Sequence, residues 1–137
     1  MFLHHTLVVH GLDQVRMALR PGRPVILLSA PGAARFAGCL WWRRLIELGQ
    51  AEFPGTGMQD VLDCAESPGQ AMAALRVGQR LLVLDPACPA YTAVAAAAAT
   101  LGAVVLPARP PALDLAAPGA GRRLAAWLKG DSTAPLV

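Results

Sequence analysis

A chain of 137 residues is long enough for one domain with its own core, and it needs neither a disulfide nor a metal to fold. Hydrophobic residues make up 55% and charged residues only 15%, so strands buried on both faces, a subunit contact, or both are expected. The net charge of +3 rests on twelve basic residues, eleven of them Arg, but no basic cluster is interleaved with aromatics, so nucleic acid is not an expected partner.

No apolar run reaches the roughly 18 residues that a membrane-spanning helix needs. The start, MFLHHTLVVHG, lacks the basic residues and cleavage site of a signal peptide. Three widely spaced cysteines fit a reducing cytoplasm rather than a disulfide framework. His4 and His5 fall near the chain start, where a frayed, solvated segment is expected.

Strand and helix patterns then alternate. Thr6–His10 reads as a first strand and Leu12–Arg20 as a short helix stopped by Pro21 and Gly22. Val25–Ser29 is the second strand, followed by the longest helix, Ala33–Gln50, with Phe36, Leu40, Leu45 and Leu48 along one face. A Pro- and Gly-containing loop leads to a third strand at Asp60–Ala65 and a helix that closes at Gly78. Arg80–Asp85 is the fourth strand, an alanine-rich helix follows, and Ala103–Ala108 is the fifth strand. Residues 1–114 form the α/β domain. Residues 115–137 add a short helix and a polar tail, packed on the same domain or on a partner subunit.

Apolar strands separated by helices specify a three-layer α/β sandwich around a five-stranded, mostly parallel sheet. Asp60 and Asp63 place the third strand at an edge, which favours the Rossmann-like order 3-2-1-4-5 over the flavodoxin-like order 2-1-3-4-5.

The stretch Ser29-Ala-Pro-Gly32 lies between a strand and a helix, where phosphate loops sit. It matches neither nucleotide fingerprint: five residues separate Gly32 from Gly38, Cys39-Leu40 follows, and the turn holds one glycine. Helix capping by Ser29, with Pro31 in the first turn, explains it more simply. Ser67-Pro68-Gly69 repeats the device. Gly38 is expected to allow close approach of helix and strand. The competing role is an anion held at the helix start, with Gly32 and Arg35 contributing.

Ligands of parallel sheets bind beyond the carboxyl ends of the strands. That rule selects His10, Gly11, Ser29, Asp63, Cys64, Glu66, Asp85, Cys88 and Arg109. His10 flanks the reversal in both strand orders, facing Asp85 in one and Asp63 in the other, and a His beside a carboxylate works as a general acid or base. Otherwise His10 bonds a loop carbonyl and Asp85 opens a turn before Pro86. Cys88 at a helix start is a candidate reactive thiol. No spacing of His and Cys matches a zinc site.

Trp41 and Trp42 point about 100° apart on a helix, so one of them lies at the margin of the core or in a subunit contact. These features fit a homodimeric cytoplasmic binding module with a small anionic ligand. The alternatives are an enzyme using His10 with Asp85 or Asp63, and a thiol protein using Cys88. No residue pattern names a cofactor.

Overall fold

The computed structural model describes residues 5–130. In chain order they form β1 (His5–Val8), α1 (Leu12–Leu19), β2 (Val25–Leu28), α2 (Ala33–Phe36), α3 (Cys39–Glu52), β3 (Met58–Asp63), α4 (Pro68–Arg76), β4 (Leu81–Val83), α5 (Tyr91–Thr100), β5 (Val104–Leu106), β6 (Ala112–Asp114) and α6 (Ala120–Leu128). The chain is an α/β sandwich of parallel strands flanked by helices, with six strands among the described residues rather than five. No described helix is long and apolar enough to cross a membrane.

The described residues divide into two compact units. The first combines the residues up to Leu28 with Leu45–Gln59 and the residues from Pro110 onward. In it β1 lies between two parallel neighbours, with Leu7 beside Leu27 of β2 and Leu113 of β6. All three of these leucines are fully buried, as expected of strands covered on both faces. Helix α1 packs on β2 and α6 on β6. Leu124, Trp127 and Leu128 of α6 are buried within their own chain, and Trp127 Nε1 donates to the carbonyl of Thr6 at 3.0 Å. His5 is not frayed: it opens β1 in register with Val25, and its ring centroid lies 5.9 Å from that of Trp127. His4 and the polar tail from Asp131 lie outside the described residues.

The second unit comprises Ser29–Arg44 and Asp60–Arg109. Here β4 lies between β3 and β5, with Leu62 beside Leu82 and Val83 beside Leu106. Helix α5 packs on β5 and on α4, and α4 also meets α2.

Both expected strand orders are thereby corrected. β1 has β2 and β6 as neighbours, not β4 or β3, and β4 has β3 and β5. The inference from Asp60 and Asp63 failed because β3 is bonded on both sides: it pairs with β4, and the Val61 carbonyl accepts from Ser29 N at 3.1 Å. Its carboxylates are neutralised internally rather than by solvent. Asp60 Oδ2 accepts from Trp42 Nε1 at 2.9 Å, from Gln79 Nε2 at 2.8 Å and from Arg43 Nη2.

The long second helix is also two helices. It breaks at Ala37-Gly38, where Gly38 has φ +89° and a Cβ added there would meet nothing within 4 Å. Gly38 thus serves a left-handed turn and not a close approach. With the face interrupted there, Phe36 before the break and Leu40 after it are exposed, whereas Leu45 is buried. Of the two adjacent tryptophans, Trp42 is fully buried and Trp41 is 37% exposed.

Candidate functional site

Within the second unit, the carboxyl ends of β3, β4 and β5 open into a cleft of about 410 Å³. Its charged lining is Asp63, Glu66, Asp85 and Arg109, with Pro31, Gly32, Ala65, Val83 and Pro107 completing the walls. Each charged group sits there because a strand has just ended. Asp63 is the last residue of β3, Asp85 follows β4 by two residues, and Arg109 follows β5 by three.

Asp63 is nearly buried and well partnered. Its Oδ2 accepts from Arg109 Nη1 at 2.7 Å and its Oδ1 from Ala65 N at 2.7 Å. Its own N–H donates to Ser29 Oγ at 2.9 Å. Ala65, next along the wall, has φ +51°, a left-handed conformation that costs a non-glycine residue about 1 kcal/mol or more. The hydrogen bonds around Asp63 hold that strained turn in place. Asp85 Oδ1 accepts from Ala87 N at 2.9 Å, the turn expected before Pro86, and Asp85 itself remains exposed. Glu66 pairs with Arg35 at 2.6 Å in an exposed rim contact.

Ser29 does not cap a helix. It is fully buried, and its hydroxyl donates to the carbonyl of Ala30 at 3.1 Å while accepting from Asp63. The cap of α2 is Gly32, with φ +67° and no side-chain bond. The similar Ser67 does cap: its Oγ accepts from Gln70 N at 3.3 Å, with Pro68 opening α4. Helix α2 has only four residues, and Arg35, in its last turn, pairs through Nη1 with Glu66.

His10 belongs to the first unit, and its carboxylate partner is neither Asp85 nor Asp63. Nε2 lies 2.8 Å from Asp114 Oδ1, at the end of β6. Asp114 also accepts from Ala116 N at 2.9 Å, and His10 N donates to Gln14 Oε1 at 2.6 Å. His10 and Gly11 line a hollow of about 250 Å³ with Leu12, Asp13 and Gln14. Gly11 is in extended backbone, with open space where a Cβ would be. Asp114 escaped sequence reading because β6 spans three residues behind two prolines, too short for a periodic signal.

Among the thiols, Cys88 is 8% exposed and precedes α5 by three residues, inside the turn it forms with Asp85 O. Cys64 is fully buried, and burial first, then the charge of Asp63, pushes its thiol up to about 12. All three cysteines are free. Among the described residues, no group of three or more His, Cys, Asp or Glu is placed to hold a metal ion. No known family model matches this sequence, and a search of curated proteins finds no match.

Proposed function

We propose that the protein is a binding module whose site is the cleft beyond β3, β4 and β5. The observation that carries this reading is a set of both charge signs, three carboxylates and the Arg109 guanidinium, around a volume within the usual range for small-molecule sites. Arg109 spends one N–H on Asp63 and keeps further donors for a ligand acceptor. Asp85 Oδ2 is left for a ligand donor. A plain dianion would meet three carboxylates there, so a zwitterion or an amide-bearing molecule complements the cleft better than phosphate.

The test is a thermal-shift panel of amino acids, small amides, inorganic phosphate and mononucleotides. A ligand at a hundred times its Kd stabilises the fold by about 2.7 kcal/mol. The expected result is a shift with a zwitterion or amide that Asp85→Asn removes. A shift produced by phosphate and untouched by Asp85→Asn refutes the reading.

A second reading rests on the His10–Asp114 contact: an acid–base pair in the first unit, with Asp114 holding the imidazole. His10→Ala should then abolish turnover of any substrate found while leaving the melting temperature nearly unchanged.

Self-association is part of the proposal. Phe36 and Leu40 are 72% and 69% exposed with Trp41 beside them, and an apolar face of this kind marks a contact surface. A two-fold dimer through α2 and the start of α3 is the simplest arrangement. Light scattering should show twice the chain mass, and Phe36→Ser with Leu40→Ser should halve it. The three free cysteines support a reducing, cytoplasmic setting.

A further inference from the structure

The first unit carries a second hollow, an open surface groove of about 260 Å³ between the α1–β2 connection and α6, with Leu124 and Leu128 buried at its base and Pro21, Arg23, Gly121, Ala125 and Lys129 exposed around it. Its wall on α6 is Gly121, Leu124, Ala125 and Leu128, one stripe at helical spacing. Pro21 faces that stripe, and Arg23 and Lys129 complete the lining. Leu124 and Leu128 are already buried, so the space lies above the small residues Gly121 and Ala125. A Cβ added at Gly121 would meet nothing within 4 Å.

Two features define the occupant. Apart from Arg23 and Lys129, the described residues that line it are apolar and offer a sugar or a base no hydrogen-bonding side chain. Among the described residues the charged groups lining it are two cations, and neither Arg23 nor Lys129 has a carboxylate partner among those residues. Lys129 stands at the C-cap of α6, where its charge offsets the partial negative charge of the helix end.

We infer that this groove binds the free carboxylate of a medium-length aliphatic chain, with the hydrocarbon along α6 and the carboxylate between Arg23 and Lys129. At roughly 30 Å³ per water-sized group, the volume of about 260 Å³ holds about eight or nine carbon centres. Affinity therefore rises about fourfold per methylene up to that length, from the transfer free energy of a buried CH₂, and then levels off.

The test is calorimetric titration of the full chain with butanoate, octanoate, dodecanoate, octanol and octylammonium, all below their micellar concentrations. Octanoate should bind once per chain, far more tightly than butanoate, with little further gain for dodecanoate. Octylammonium should bind at least tenfold more weakly than octanoate. Gly121→Leu places an apolar side chain in the groove from a position where a Cβ meets nothing within 4 Å, and it should abolish octanoate binding without lowering the melting temperature. Arg23→Gln with Lys129→Gln should weaken octanoate about tenfold and leave octanol unchanged. Asp85→Asn should leave octanoate binding intact, which separates this groove from the cleft of the second unit. The inference is overturned if octanoate fails to bind at millimolar concentration, if octylammonium matches it, or if Gly121→Leu has no effect. It is equally overturned if sedimentation shows a dimer that Gly121→Leu dissociates, because the groove would then be a contact between copies.

Discussion

Gly49 is the position where two ordinary rules oppose each other. It lies inside α3, and replacing a helical glycine by alanine stabilises by about 1 kcal/mol through backbone entropy. A Cβ there, however, would stand 2.6 Å from Val15 Cγ1 and 3.3 Å from Leu19 Cδ1, both on α1. Carbon atoms pack best at about 3.5–4.0 Å, so roughly 1 Å of clearance has to be found. Val15 is fully buried and Leu19 is 1% exposed, and the branched Val side chain has essentially one rotamer in a helix. Overpacking of such a core costs about 1–3 kcal/mol, and the rigidity of Val15 places this case in the upper half of that range. Gly49→Ala should therefore destabilise by about 1 kcal/mol net, read as a lower urea midpoint at unchanged slope. In a Val15→Ala background both Cγ atoms are gone, and the same substitution should stabilise by up to about 1 kcal/mol. Equal effects of Gly49→Ala in the two backgrounds, or stabilisation of the parent chain, would show that α1 and α3 do not meet through this glycine.

Three further outcomes follow from the second unit. Arg109→Leu leaves the nearly buried Asp63 without its cation and should cost about 3 kcal/mol, the low end for a broken buried pair because a quarter of the Arg109 side chain reaches solvent; adding Asp63→Asn should recover most of the loss in urea melts. The two serines that look alike in sequence should separate: Ser29→Ala strands the Asp63 N–H and should cost about 2 kcal/mol, whereas Ser67→Ala loses only a long capping bond and should cost about 0.5–1 kcal/mol. Cys64, raised from the ordinary 9.0 to about 12, should resist iodoacetamide in the native chain at pH 8 and react once the chain is unfolded. Because the folded state holds that proton more tightly, this contribution to stability is complete below pH 9 and lost as pH rises toward 12; Cys64→Ala should flatten the alkaline limb of the stability profile.

The parts of this fold legible in the chain are those with local causes. Continuous apolar runs such as Val25–Leu28 bury both faces of a strand, and Pro21-Gly22 stops a helix, so fold class and most elements follow from near neighbours in sequence. The cleft's polar residues were legible too, since a chain leaving a buried strand turns polar where it meets solvent. Strand order was not, because it depends on which partner satisfies a buried carboxylate. Asp60 and Asp63 read as signs of an exposed edge, yet Trp42, Arg43, Gln79 and Arg109 neutralise them from 17 to 46 residues away. The same distance hid the partner of His10, which lies 104 residues along the chain on a three-residue strand. Ser29 and Ser67 carry nearly the same local sequence and differ in role only because β3 passes beside one of them. Hydrogen bonds and ion pairs between segments far apart in sequence depend on chain path, and no local pattern encodes it.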